Sequence, residues 1–523
     1  MRVAVVGGGP GGLFAGALIS RGLPDADVVV FERNQRSDAF GFGVVFSDAT
    51  LRAIDAADPV LRTALADFGT HWDRIAVWNR GERHEFAGNG MAAIHRRRLL
   101  SLLQDNAEQA GATLRFGEEA PPVSQLSAEY DIVIGADGTN SSVRRHLGDQ
   151  GLGHSTEAAA AKFIWFGTTF LFDGLTFVHR ESEHGTFAVH AYPISDELST
   201  FIVETDEDTW RRAGLDRFDV AQPPGASDLD SQHYLEKLFA DDIEGAELVT
   251  NNSRWGNFVT RRTRTWHDGN IVLLGDAVHT AHFSVGSGTK MAMEDAVVLA
   301  EEIVRHAGEP AAAFAAYEEA RQPRVARIQD SARPSLSWWE RFGRYRDQLD
   351  PLTFAFHFFS RSIDVERIAQ RDPELVQSVR GRWQGLHGAP ALQTPLDLPG
   401  RRAATSRLLT LQQDGTTVSV RDDDGEVMRA GAGLAVDGVV LVEVPETEAL
   451  VDSVLAALPV DVRVAVVRGG ADLPRTLLCE ELRLDRGCVV VLADDVDDAV
   501  AETLILSGRV DAVARSSRSG DRS

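Results

Sequence analysis

Cysteine is nearly absent from this chain of 523 residues: only Cys479 and Cys488 occur, both late and without CxxC spacing. A disulfide framework and a cysteine-based metal site are thereby excluded, and an intracellular, reducing compartment fits best. Lysine is almost as scarce. Lys162, Lys237 and Lys290 stand alone among 53 basic residues, no run of five or more basic residues occurs, and the formal charge is -25. A polyanion would be repelled unless one face concentrated the arginines, which argues against a nucleic-acid partner. No segment offers the roughly 18 uninterrupted apolar residues of a membrane span, so no membrane is expected. The apolar run in "MRVAVVGGGPGG" is too short for a signal peptide and passes straight into a glycine loop. The expected location is the cytoplasm. An apolar content of 43% with 25% charged residues suits a soluble globular enzyme, and the length implies a large domain or a pair plus an appendage.

Val3 to Val6 is a short β-branched run, read as a buried parallel strand, and Gly7-Gly8-Gly9-Pro10-Gly11-Gly12 follows at once. Gly7, Gly9 and Gly12 satisfy GxGxxG. The first permits the tight turn, the second lets the backbone approach a pyrophosphate, and the third lets the helix from Leu13 pack on the strand. That helix stops near Arg21-Gly22, with Pro24 beyond. A second apolar run, Val28 to Phe31, ends in Glu32, about 20 residues after the glycines, where a ribose-binding acid belongs. Arg33 follows as a further cofactor contact. A dinucleotide is therefore expected, but FAD and NAD share this fingerprint.

Two later segments use the same grammar. In "YDIVIGADGTNSSVRRHL" the strand Ile132 to Ile134 breaks at Gly135-Ala136-Asp137-Gly138. In "LLGDAVHTAHFSVGSGTKMAMEDA" the run Ile271 to Leu274 enters Gly275-Asp276, and Gly286-Ser287-Gly288 then opens a helix on which Ala292, Ala296, Leu299 and Ile303 recur at helical spacing.

With GxGxxG, a DG segment and a GD segment in this order, the chain resembles the class A flavoprotein aromatic hydroxylases, the group typified by para-hydroxybenzoate hydroxylase. The resemblance implies FAD as cofactor, NADH or NADPH as a transient reductant and O2 as co-substrate. It implies that Asp276 accepts a hydrogen bond from the ribityl chain and that Asp137 and Gly138 lie near the pyrophosphate and help to admit the nicotinamide. Arg96, in "HRRRLLSLLQ", matches an arginine placed against the flavin's phosphates, with Gln104 as its partner position; Arg97 and Arg98 read as surface. Gly286, Gly288 and Thr289 would turn free N–H groups and the positive end of a helix toward the flavin's pyrimidine edge. No second GxGxxG is present, as expected where NAD(P)H lacks a domain of its own, and the absence of a WxWxIP segment weighs against a halogenase. A flavoprotein-fold binding module is the non-enzymatic alternative, and the intact Asp137-Gly138 and Gly275-Asp276 argue for a working cofactor instead.

Departures from the general pattern narrow the resemblance. His282-Phe283 stands where many relatives have Pro-Pro, and Lys290 where asparagine is common. The runs "HTAHFSVGSGTKMAMEDA" and "SLSWWERFGRYRDQLDPLTFAFHFFSRS" resemble the salicylyl-CoA 5-hydroxylase and anthraniloyl-CoA monooxygenase branch. That implies an aryl-CoA thioester as substrate, such as salicylyl-CoA hydroxylated at carbon 5 to gentisyl-CoA through a flavin hydroperoxide, with a free aromatic or indole substrate as the alternative. A base beside the phenol would raise its electron donation, and His282 comes first as candidate, then His279. Neither has a carboxylate partner readable from the sequence. Lys290 could add positive charge beside the reduced ring or reach an acyl or phosphate group, or be simply exposed. Arg261, Arg262 and Arg264 could take CoA phosphates or form a solvated strand edge.

The expected fold class is α/β: a Rossmann-like FAD-binding domain with an inserted antiparallel-sheet substrate domain, plus a small C-terminal α/β module. The hydroxylase would span 1–390, with FAD-binding parts at 1–70, 92–160 and 256–345, a substrate sheet at 71–91 and 161–255, and helices at 346–390. Within the sheet the aromatic pairs Phe163/Trp165 and Phe170/Phe172, each two apart, would share one face of a strand. Residues 385–400, rich in Pro and Gly, read as a linker, and 400–515 as the module. The module is too short for an eight-fold barrel, so it reads as a shrunken barrel remnant or a thioredoxin-like appendage with a scaffold or dimer-contact role. Residues 516–523 are expected to be disordered.

Overall fold

The computed structural model describes residues 1–47, 51–219, 222, 225–283, 286, 288–415, 417–431 and 437–517. Ser287 of the Gly-Ser-Gly turn and the final residues of the expected tail, 518–523, lie outside them. The chain forms two compact units, one of residues 1–78 and 89–341, the other of 79–88 and the chain from Phe342 onward.

In the first unit, short β-branched runs buried on both faces make a parallel sheet, as their continuous apolar character requires. Its strand order is His267–Asp268, Ile271–Leu273, Ile132–Gly135, Arg2–Val6, Asp27–Glu32, Thr113–Phe116, with only the His267–Asp268 edge antiparallel. From Arg2–Val6 the chain moves first to one side and later returns to the other, which makes the gap beside this strand the switch point of the sheet, where α/β folds bind ligands. Val6 pairs with Gly135, and Gly135 with Leu273. Three strands thus end in one row, and their three loops leave from the same edge.

A second sheet in this unit is antiparallel, in the order Leu248–Val249, Ser155–Thr168, Ser199–Thr205, Gly185–Pro193, Leu175–Ser182, Ile75–Asn79, with Gly256–Arg262 also paired to Ser155–Thr168. One face carries Ile164, Phe166, Val178, Val189, Phe201 and Val203 into an apolar core. Alternation puts Phe163, Trp165, His190, Ile202 and Glu204 on the other face. Phe163 and Trp165 do share a face, and both pack on Phe283, with ring centroids 5.1 and 6.4 Å away. Phe170 and Phe172 do not sit on a strand, because Ser155–Thr168 ends before them; they contact each other edge to face at 4.9 Å. The expected boundaries at 161 and 256 also differ from the sheet, since the 14-residue strand Ser155–Thr168 starts earlier and pairs with Gly256–Arg262.

In the second unit the Val-rich runs form parallel strands Val439–Glu443, Val464–Arg468, Val489–Ala493 and Ala512–Ser516, extended by Leu408–Asp414, Thr417–Asp422 and Gly425–Gly431 into seven. The 346–390 helices, assigned from sequence to the hydroxylase, group here instead. The reason is a buried charge network: Glu480 accepts from Tyr345 (2.6 Å) and Arg509 (3.0 Å) and lies 3.0 Å from His357, while Arg509 donates to the His357 carbonyl. The expected linker is packed too, since Leu396 and Leu398 enter the core of this sheet. Among the described residues no helix is long and apolar enough to cross a membrane.

Candidate functional site

The first corner is built by glycines with different tasks. Gly7 has φ +113°, and a Cβ there would meet the Ala136 carbonyl oxygen at 2.3 Å; a Cβ on Gly12 would meet the Gly7 oxygen at 2.1 Å. Both are required by the turn itself. Gly9 is different: its backbone is extended (φ -75°, ψ 175°), and among the described residues no heavy atom beyond its chain neighbours lies within 4 Å of a Cβ placed on it. The space above the helix Pro10–Gly22 is open where a pyrophosphate would lie. Glu32 is fixed at the end of its strand, accepting from Gly8 N (2.8 Å) on one oxygen and from Asn34 N (2.9 Å) and Nδ2 (2.7 Å) on the other. A carboxylate so held retains lone pairs for a ribose hydroxyl. Arg33 is exposed.

Arg96 opens the helix Arg96–Gln109, and its Nε is buried with no hydrogen-bond partner among the described residues. Burial holds its pKa below the ordinary value, against the opposing pull of Tyr192 and Asp276. A guanidinium left in this condition calls for an anion. Gln104 is committed elsewhere, donating to the Arg36 carbonyl at 3.2 Å, so the structure assigns it to holding the loop after Glu32. Arg97 and Arg98 are exposed, the latter over the Phe68 ring.

At the second corner Asp137 Oδ2 accepts from Ser142 N (2.6 Å) and Oγ (2.9 Å), while Oδ1 is buried without a partner among the described residues. Gly138 has φ +78°. Arg144, which the sequence reading passed over, ties this loop to the third corner: its guanidinium donates to the Thr139 carbonyl (3.0 Å) and to the Ala277 carbonyl (2.7 Å). At the third corner Asp276 is open to solvent and makes no hydrogen bond among the described residues, yet protein atoms crowd it. Desolvation raises its carboxyl pKa, and His279, Arg96 and Arg261 pull the other way.

Beneath this corner lies a network the sequence reading missed. Asp295, fully buried, accepts from Gly275 N (3.0 Å) and from Arg321 Nε (2.8 Å), and its Oδ2 lies 2.7 Å from His279 Nε2. His279 and Arg321 outweigh burial and hold the Asp295 carboxyl down at about 2, so it is ionised. His279 is thus an anchor of the Gly275-Asp276 turn, spent on Asp295. Lys290 is likewise spent, 2.9 Å from Glu294, which also pairs with Arg321 at 3.1 Å. Its i,i+4 partner was visible in the sequence and signals a helix-face ion pair. Gly286 (φ +60°) sits near Val45, while Gly288, the first residue of Gly288–Arg305, has no neighbour among the described residues within 4 Å of a Cβ, its own helix backbone aside, and Thr289 follows half-buried.

His282 lies apart from that network, 3% exposed, between Phe283 (4.4 Å, stacked) and Phe258 (4.9 Å, edge to face). Its Nε2 is 3.7 Å from Glu204 Oε1, and Glu204 Oε2 is 3.2 Å from His190 Nε2. Both histidines considered from sequence therefore have a carboxylate. The arginine cluster is divided: Arg262 donates to Gln329 and Asp330, Arg264 is exposed, and Arg261 keeps a buried Nε without a partner among the described residues.

An open Gly9, an Arg96 Nε without a partner and an Asp276 without a hydrogen bond among the described residues fit a flavin dinucleotide. The class so defined is the FAD-dependent aromatic monooxygenases. The family described as FAD binding domain matches residues 1–125 and 97–332, and the chain belongs to it. Salicyloyl-CoA 5-hydroxylase from Streptomyces sp is 52% identical over 98% of this chain and 99% of its own length. The 3-hydroxy-4-methyl-anthranilyl (aryl-carrier protein) 5-monooxygenase of Streptosporangium sibiricum is 34% identical over 65% of this chain and 90% of its own. A crystal structure of 2-methyl-3-hydroxypyridine-5-carboxylic acid oxygenase superposes with a TM-score of 0.52 at 20% identity, covering 69% of this chain and 98% of that one, which supports the fold.

Proposed function

We propose that this FAD-dependent monooxygenase hydroxylates the ring of an aryl-CoA thioester, with salicyloyl-CoA as substrate and carbon 5 as the position oxidised. The observation that carries this reading is the end-to-end match to the salicyloyl-CoA 5-hydroxylase, at 52% identity over 98% of the chain and therefore with the second unit included. Gly9 and the helix it opens would take the pyrophosphate, Glu32 the ribose, Arg96 the phosphate charge, Asp276 the ribityl hydroxyls, and Gly288 with Thr289 the flavin's pyrimidine edge. Bound FAD, reduced by NADH or NADPH, supplies the activated oxygen. The protein's own part is to exclude water and to make the ring electron-rich. Phe258 and Phe283 pack on His282, with Phe163 and Trp165 against Phe283, and burial lowers the His282 pKa to about 4, so the imidazole is neutral at working pH and can accept the phenol's proton. Loss of that proton sends electron density to the carbon para to the oxygen, the least hindered activated position of a 2-hydroxybenzoyl thioester. Arg261, whose Nε has no partner among the described residues, would take a CoA phosphate.

Product mass and NAD(P)H oxidation should be compared for salicyloyl-CoA and free salicylate. The thioester should gain one oxygen, and the free acid should turn over at least about 10-fold more slowly in kcat/KM, as expected when a remote binding group contributes to the transition state. Turnover of the free acid without the thioester would overturn the substrate assignment.

A further inference from the structure

On the inner face of the antiparallel sheet a carboxylate is buried where no apolar core needs one. Glu204 (2% exposed) stands opposite Phe163 on one neighbouring strand and Ala188 on the other, on the face that turns away from the sheet's own apolar core. Charged or titratable groups face it from three directions: His190 at 3.2 Å from its own sheet, His282 at 3.7 Å from the segment after the third corner, and Glu340 from the helix end near Ala160. Among the described residues no arginine or lysine is paired to it. Trp339 covers His190 with a ring separation of 4.0 Å, and Phe177 meets the same imidazole edge to face at 4.8 Å. Burying an acid among histidines and aromatic rings is costly unless the group exchanges a proton or holds a neighbour in place.

We propose that Glu204 is a positioning residue of the hydroxylation site, orienting His282 and receiving the proton that His282 takes from the substrate's ring hydroxyl. The proposal rests on reading the chain as an aromatic hydroxylase with His282 beside the ring. In the step, the phenol O–H bond breaks and its proton bonds to one nitrogen of His282. The proton on the other nitrogen passes to the Glu204 carboxylate. The substrate is left as phenolate, His282 is neutral again, Glu204 is neutral, and nothing is oxidised or reduced. The Glu204 to His282 distance must shorten by about 1 Å for transfer, a tightening expected when substrate fills a site. Burial, with Glu340 adding to it and His282 opposing, raises the Glu204 carboxyl to about 7, which gives it the proton affinity an acceptor near neutral pH needs. His190, on the second carboxylate oxygen, fixes the orientation.

The test uses the FAD-loaded, full-length enzyme with salicyloyl-CoA, reading the ionisation of the bound phenol from its absorbance across pH and kcat and KM separately. In Glu204→Gln the ionisation midpoint should rise by about one unit or more. Its kcat should fall roughly 10- to 100-fold at pH 7 with KM changed less than about 3-fold. Glu204→Asp, which keeps the carboxylate, should recover most of kcat and part of the midpoint shift. An unchanged midpoint in Glu204→Gln, or equal loss of FAD and thermal stability in both variants, would overturn the assignment of Glu204 alone. Wild-type enzyme that binds the thioester without hydroxylating it would overturn the functional reading, and the proposal with it.

Discussion

A Gly9→Val variant is expected to fold normally and to lose FAD, whereas Gly12→Val is expected not to fold. The two glycines belong to one motif, but only one of them is needed by the polypeptide itself. At Gly12 a Cβ would stand 2.1 Å from the Gly7 carbonyl oxygen, backbone against side chain in a turn that cannot open without separating the helix Pro10–Gly22 from its strand. At Gly9 the backbone is extended, a conformation valine adopts freely, and the added methyls enter open space. That space is where the proposed placement of FAD puts the pyrophosphate. FAD affinity should fall at least about 100-fold, or about 2.7 kcal/mol, while the melting temperature of the cofactor-free protein moves by no more than about 2 °C. Titration of cofactor-stripped protein with FAD and a thermal scan decide the matter. Gly9→Val protein that purifies yellow at full stoichiometry would contradict the placement of the cofactor.

The second large effect is expected at Asp295, a residue that touches no ligand. Asp295→Asn leaves the buried Arg321 guanidinium without its nearest carboxylate and removes the charge that His279 faces. Breaking a buried ion pair by removing one partner costs about 3–5 kcal/mol, which should lower the melting temperature by roughly 10 °C. The Gly275 N–H loses a charged acceptor at the same time, so the Asp276 turn loosens and FAD binds more weakly. The pH dependence has a definite sign. The folded-state pKa of Asp295, at about 2, lies below its ordinary value of 3.8. Its contribution is therefore fully present above about pH 4 and is lost as pH falls toward 2. Wild-type stability should fall more steeply than that of Asp295→Asn across this window; parallel acid profiles, with equal melting temperatures at neutral pH, would show that the network carries no stability.

The three corners were legible because each is local: an apolar strand, a glycine and an acid within a few residues. Gly7, Gly9, Gly12, Glu32, Asp137 and Asp276 could be picked out by one pattern used three times. Side-chain commitments were not legible. Gln104 looked like a cofactor partner, but the fold turns it to the Arg36 carbonyl, and His279 looked like a base, but it serves Asp295. Arg144 drew no attention because its acceptor, the Ala277 carbonyl, is 133 residues away. The module at 400–515 was legible, but its grouping with the helices before 390 was hidden for the same reason, since Tyr345 meets Glu480 across 135 residues.

What this amino-acid sequence determined alone was the cofactor's cradle and the class of chemistry, because a dinucleotide turn and a strand-end acid are properties of a few consecutive residues and their backbone. What only the tertiary structure decided was which ionisable groups face one another. His282 acquires Glu204 from the strand Ser199–Thr205, and Asp295 rather than Asp276 takes His279. A proton's destination depends on distances of a few ångströms between groups far apart along the chain, and strand register and helix packing set those distances.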